Sequence, residues 1–369
     1  MTGGKHHLLF VVFIITACFF QPAAARVFAL PGLYYSDDFG WVLTGALIVH
    51  KESGARLQTS MEYYGGDDGS VQILWLLPRN AYEWTLLLKL QSFLQEIHSQ
   101  EHPSNQDAIF LNPIKSIEFT GRWDFFLERG LFYGYQGSFK SFSYTDETWK
   151  ISPEDPGWKE SAWIASGSES AVSLRAGLET RDHRYYSRQG MYLLWQFDLG
   201  FAHSRGERDE LVRVQTDIRR YIPIPTTRSV LALNVRGGLI HHRVPYFSQF
   251  KMGGYSTLRG FPLDRYNGNG YYSTRIEIRQ DFFESIEIPL GSFLKGVLHM
   301  EKARFTPGIV LFSDGGDLWR PDFGWWGFRQ GIGAGLRVYI PPGVVGACDL
   351  AKPVDSGSYT FYVSLEQSF

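Results

Sequence analysis

The stretch from Gly270 to Asp281 constrains the fold more than any other. Successive side chains of an extended chain point to opposite sides, so Ser273, Arg275, Glu277, Arg279 and Asp281 share one face and Tyr272, Thr274, Ile276, Ile278 and Gln280 the other. Four charges on one face and mostly apolar groups on the other suit the wall of a barrel with a wet interior and lipid outside. A soluble sheet would turn the same apolar side toward a core. The alternation recurs from Leu211 to Ile222, where Arg213, Gln215, Asp217 and Arg219 face away from Val212, Val214 and Ile218.

The amino terminus predicts the compartment. Lys5, His6 and His7 precede an apolar run from Leu8 to Phe20, and Ala23, Ala24 and Ala25 supply the small residues of a cleavage site. Residues 1–25 therefore read as a secretory signal peptide and 26–369 as the mature chain. Ile15-Thr16-Ala17-Cys18 resembles a lipoprotein processing box, against which the bulky Phe19 and Phe20 stand. Beyond this segment no run of about 18 apolar residues occurs, which excludes spanning helices. Cys348 is the only cysteine besides Cys18, so no intramolecular disulfide is expected in the mature chain. A net charge of -2 offers no basic excess for nucleic acid. With 16% aromatic residues and alternating strands, two classes remain: an outer-membrane barrel or a large soluble all-β protein.

Strands are predicted at 27–36, 41–50, 55–64, 70–77, 80–93, 113–126, 131–144, 168–181, 191–203, 211–222, 228–241, 270–281, 305–314, 329–340, 343–351 and 358–369. The first is inferred from the even strand count usual in single-chain bacterial barrels. Connections then fall into two sets. Lys51 to Gly54, Pro78 to Arg79, Leu127 to Gly130, Asp182 to Gly190, Pro223 to Thr227 and Pro341-Pro342 are short, as periplasmic turns are. Leu94 to Asn112, Thr145 to Gly167, the loop around Arg259 and Gly315 to Phe328 are longer, as outer loops are. Phe282 to Arg304 is too long for its side, so part of it is expected to extend the flanking strands or to form a small docked element. Trp319, Trp325, Trp326 and Phe328 fit an aromatic girdle at the membrane interface.

Several motifs stand in order along these strands. Phe250, Gly253-Gly254 and Leu258-Arg259-Gly260-Phe261 resemble the signature loop of the BamA/TamA superfamily of outer-membrane barrels, also known as bacterial surface antigens. Glu179-Thr180-Arg181-Asp182 with Gly190 resembles that family's threonine-arginine-aspartate turn. Phe312-Ser313-Asp314-Gly315-Gly316 is similar to its F-x-D-x-G strand, and Gly331, Gly333, Gly335, Leu336 and Arg337 to the strand that follows. The terminal Phe369 resembles the aromatic end of the signal by which such barrels are themselves inserted.

The resemblance implies a transmembrane antiparallel β-barrel of about sixteen strands, with the Arg-Gly-Phe loop folded into the lumen. It implies that Arg259 meets Asp314 on the inner wall, with Glu277 as second acceptor, a lock that either stiffens the lumen or takes part in moving substrate. It implies help in inserting or translocating polypeptide or lipid at the outer membrane, with membrane lipid and a periplasmic protein or polypeptide substrate as partners. The alternative is a passive structural or channel barrel with the same fold. Such proteins usually carry periplasmic substrate-binding domains before the barrel. A mature start at Arg26 leaves no room for one, so capture is expected to fall to a partner or to the barrel itself. Pro31-Gly32 in the first strand weakens its ladder, which predicts a poor seam against the last strand. No G-x-S-x-G setting occurs, and neither enzymatic activity nor a cofactor is expected. His241 and His242 face opposite ways on a strand, and Asp37-Asp38 and Asp67-Asp68 sit beside turn residues, so no metal site is expected from them.

Overall fold

In this computed structural model the residues described are 25–36, 40–51, 55–65, 68–79, 81–99, 108–144, 166–242, 244–289, 302–321, 324–325, 327–341, 344–355 and 358–364. Residues 1–24 of the expected signal peptide, Trp326 of the expected girdle and Phe369 lie outside them.

The wall begins with β1 (Ala25–Ser36), β2 (Gly40–Lys51), β3 (Arg56–Gly65), β4 (Asp68–Pro78), β5 (Tyr82–Ser99), β6 (Ala108–Phe126), β7 (Leu131–Tyr144), β8 (Gly167–Glu179), β9 (Gly190–Ser204), β10 (Glu207–Pro223) and β11 (Ser229–His241). Two short strands, β12 (Phe250–Met252) and β13 (Tyr266–Gly268), form a separate hairpin. The wall resumes with β14 (Gly270–Asp281), β15 (Ile286–Pro289), β16 (Lys302–Arg320), β17 (Gly324–Trp325), β18 (Arg329–Ile340), β19 (Val344–Pro353) and β20 (Thr360–Ser364). All except the hairpin join one antiparallel sheet in which each long strand pairs with its neighbours in sequence. Without the short β15 and β17, sixteen strands make the wall.

Alternation sets the two faces. On β14, Ser273, Arg275, Glu277, Arg279 and Asp281 are buried inside while Tyr272, Ile276 and Ile278 are exposed. The same division runs round the wall, with Trp195, Leu199, Leu239, Leu311, Leu336 and Phe361 exposed on the outer side. Exposed apolar residues on each long strand from β2 to β20 are what a lipid-facing surface requires. Trp325 and Phe328 are exposed beside Tyr272, in the position of a girdle.

Several strands run further than the alternation predicts. β5 reaches Ser99 and β6 begins at Ala108, so much of the expected loop from Leu94 to Asn112 is paired strand. β16 continues through Gly315 to Arg320, because Gly315 and Gly316 keep their ladder partners on both sides. Glycine there weakens strand propensity without breaking the ladder. Pro31 and Gly32 sit within a continuous β1–β2 pairing. In the long segment after Phe282, Ile286–Pro289 pairs with Lys302 to Phe305 at the start of β16, and Glu287 meets Arg304 at 2.5 Å. This strand extension matches one of the two forms expected.

The two ends of the sheet come together. Cα atoms of β1 and β20 approach within 8 Å. Among the described residues, however, no ladder pairing joins them, whereas every other neighbouring pair of long strands is laddered.

Candidate functional site: two locks across the lumen

The chain between β11 and β14 folds back inside the wall. A single 3-10 turn, Tyr246–Ser248, leads into the β12–β13 hairpin, and the segment between its strands carries Leu258 to Phe261. Apolar burial fixes this tip: Leu258, Phe261, Met252 and Leu318 form one buried cluster, with Phe250, Tyr266 and Tyr271 against it. Gly260 has φ +95°, and a Cβ there would stand 2.7 Å from the backbone carbon of Lys352. No other residue fits so close to the wall without displacing it.

Arg259 is thereby delivered to the inner wall, with 0% exposure. Its Nε donates to Asp314 at 2.7 Å and Nη2 to the other Asp314 oxygen at 2.8 Å, a bidentate fork. Nη2 also lies 2.7 Å from Glu277, and Nη1 donates to Asp349 at 2.8 Å. The Arg259 backbone N–H donates to Asp314 as well, at 3.2 Å. The guanidinium lies over the ring of Phe312 at 3.5 Å. A second tier of cations holds the carboxylates: Arg275 is 3.4 Å from Asp314, Arg279 is 2.8 Å from Glu277, and Arg337 donates to Asp349.

The strand motifs frame this network. Gly333 stands opposite Phe312 in register and leaves space for its ring, and Gly335 leaves space for the Asp349 carboxylate, which a Cβ would meet at 1.9 Å. Gly316 faces Met252 beneath the loop. The structure thus brings together Leu258, Arg259, Gly260, Phe261, Asp314, Glu277, Phe312, Gly316, Gly333, Gly335 and Arg337. Sequence reasoning missed Asp349 and Tyr362. Asp349 was legible as the one carboxylate on an inner face otherwise made of Val345, Ala347 and Ala351. Tyr362, on β20, accepts the Gly260 N–H and donates to the Phe261 carbonyl, both at 3.0 Å. Nothing in the sequence marks it, since the tie depends on where the loop tip lands.

A second lock closes the other end. The connection between β8 and β9, predicted as a short turn from Asp182 to Gly190, crosses the barrel mouth. Local chemistry shapes it into a compact loop: Asp182 accepts the backbone N–H groups of His183, Arg188 and Gln189 at 2.9, 3.0 and 3.3 Å. Thr180 Oγ1 accepts from Met191 N–H at 3.0 Å, and Arg181 grips Glu179 at 2.8 and 2.5 Å. The middle of this strap is then free to reach outward. Arg184 donates to Glu83 on β5 at 2.8 Å, Tyr185 stacks under Arg56 of β3 at 4.2 Å, and Tyr186 and Arg188 both bind Asp281 on β14. Tyr186 lies flat on Tyr339 of β18, centroids 4.8 Å apart. His183 Nδ1 accepts the N–H groups of Tyr185 and Tyr186, which leaves Nε2 to donate to the Tyr339 hydroxyl at 3.0 Å. From its roots on β8 and β9 the strap touches strands five places away in either direction, β3 and β18. It therefore bridges the opening and does not merely turn the chain.

An antiparallel barrel with an apolar outer face and an Arg-Gly-Phe loop locked in its lumen defines the class, and the comparisons define the family. The Omp85 superfamily domain matches residues 134–369, and the chain belongs to that superfamily, a family of outer-membrane barrels for protein insertion and translocation. Among solved structures, BamA from Haemophilus ducreyi lacking POTRA domains 1–3 is similar with a TM-score of 0.57 and 13% identity, covering 92% of this chain and 70% of that one. CdiB from Escherichia coli gives a TM-score of 0.62 at 15% identity, covering 93% of this chain and 62% of that one. CdiB from Acinetobacter baumannii gives 0.55 at 12%, with 94% and 60% covered. At these identities the likeness is one of fold. No curated protein matches the sequence.

Proposed function

We propose that this barrel assists insertion or translocation of polypeptide at the outer membrane, using the seam between β1 and β20 as the working edge. The observation that carries the reading is that, among the described residues, these two strands approach without a ladder between them. A strand edge outside a ladder presents N–H and C=O groups that another strand can pair, and in a bilayer such groups have strong reason to be paired. The last strand is also the one that holds the loop tip through Tyr362, so the edge and the lumen are mechanically joined. A lumen crossed by two locks is poorly suited to passive diffusion of solutes. The activity proposed is non-enzymatic, with membrane lipid and a polypeptide as partners. Residues 1–25 would direct export, and sequencing the amino terminus of the mature protein tests that cleavage.

The test is a tether across the seam. Cysteines replace Leu33 in β1 and Val363 in β20, in a Cys348→Ser background that removes the free thiol. The protein is reconstituted in liposomes and offered a urea-unfolded outer-membrane barrel, and the folded product is counted by its resistance to heat and protease. Acceleration by the untethered protein, loss on oxidation and recovery on reduction are the expected results. Equal activity when tethered would reject the seam as the working edge. Solute leakage without any insertion would favour the passive barrel.

A further inference from the structure

Between the strap and the wall lies a cavity of about 260 Å³. Five guanidiniums line it: Arg122, Arg175 and Arg219 from the wall, Arg181 and Arg184 from the strap. Four carboxylates answer them. Arg122 is 3.2 Å from Glu83 and 3.0 Å from Asp124, and Arg184 shares Glu83 at 2.8 Å. Arg181 takes Glu179 at 2.5 Å and Arg219 takes Asp217 at 2.6 Å.

Arg175 is left short. It is 6% exposed, its nearest carboxylate contact is Asp124 at 3.8 Å, and its hydrogen-bonding neighbours are the neutral Gln136, at 3.3 Å, and the Tyr192 phenol. Its Nε makes no hydrogen bond although it is buried. A buried cation so weakly matched is costly unless an anion completes its shell. Guanidinium forks converging on one space suit an acceptor with several oxygens, which they bind in pairs.

We propose that this cavity is a binding site for an oxyanion of the phosphate class, either free phosphate or the phosphoryl group of a small headgroup. Arg175 is its principal donor, joined by Arg122 from the wall and Arg184 from the strap. The bound anion would bridge strap and wall, so occupancy would hold the mouth closed. The proposal does not depend on the insertion activity.

The test measures the unfolding midpoint of the purified full chain in micelles by tryptophan fluorescence. Inorganic phosphate, glycerol 3-phosphate and chloride are compared at matched ionic strength. A saturable rise with phosphate, absent with chloride, is expected. A response at lower concentration with glycerol 3-phosphate than with phosphate would identify a headgroup, and an equal or weaker one the free anion. Arg175→Gln should abolish the response while leaving the ligand-free midpoint unchanged or higher, because it removes an undercompensated charge. A merely structural arginine would lower that midpoint. Arg208→Gln, which alters a cation lying over Phe201 away from the cavity, should keep the response. Phosphorus NMR line broadening on the unmutated protein supplies a second readout. No phosphate-specific shift or broadening, or a shift that survives Arg175→Gln, overturns the proposal.

Discussion

The two locks do the same geometric task by different physics. At mid-barrel, Arg259 and its three carboxylates are wholly withdrawn from water, with side-chain exposures of 0%. At the mouth, the cations by which the middle of the strap reaches the wall stay wet, Arg184 at 35% and Arg188 at 39% side-chain exposure, and aromatic stacking supplies much of the hold. A dry ion network costs desolvation on every member and repays it only when the set is complete, so it favours a single arrangement over graded motion. A wet contact set can be loosened in parts. The loop lock therefore acts as a brace and the strap as the element that yields first. They share their footing: β14 carries Glu277 for one and Asp281 for the other, with Arg279 between, and β18 carries Arg337 and Tyr339.

The comparison breaks most visibly at Arg259. Arg259→Ala strands Asp314, Glu277 and Asp349 in the dry interior and should cost about 3–5 kcal/mol. A collapse in the heat-modifiable folded fraction on gels, far beyond that of strap variants, is the expected result. Asp281→Asn comes next. Tyr186 and Arg188 lose their anionic partner, destabilising the docked strap by about 1.5–3 kcal/mol while the barrel stays folded. Limited proteolysis should then cut between Arg181 and Gln189, leaving the wall intact. Tyr362→Phe removes the hydroxyl that joins loop tip to β20, for about 1 kcal/mol, read as faster hydrogen exchange at Gly260 and its neighbours.

The smallest effect concerns pH. Burial, and then the adjacent Asp281 carboxylate, push the Tyr186 phenol above its ordinary value. The docked strap therefore binds this proton more tightly than the undocked one. Docking should be fully supported below the free phenol's value of about 10 and weaken as pH rises past it. Protease susceptibility of the strap followed from pH 8 upward checks this, and Tyr186→Phe should flatten the profile.

Much of the wall was legible because period-two alternation leaves one face ionic and one apolar, as on β14, where the predicted strand and the observed one coincide. The loop residues and Asp314 were legible through ordered motifs. The strap was not. Only its root was marked, Arg181 and Asp182 by the threonine-arginine-aspartate resemblance; His183 and Tyr186 sit in a segment without alternation, and its path is set by partners scattered over Arg56, Glu83, Asp281 and Tyr339. Such contacts belong to closure of the sheet and leave no local pattern. The long β5 and β6 were underread for a related reason: their outer ends carry Gln95, Glu96 and Asn112, which resemble loop yet keep ladder partners.

Hydrogen exchange resolved by peptide, on the intact protein in nanodiscs at low and at 1 M salt, tests the difference between the locks most directly. At 1 M the Debye length is only about 3 Å, so exposed pairs are screened and dry ones are not. Exchange across 182–189 should accelerate with salt while 258–261 and the middle of β14 stay slow at both concentrations. Equal acceleration of the two segments, or a loop tip that exchanges faster than the strap, would contradict the assignment of brace and yielding element.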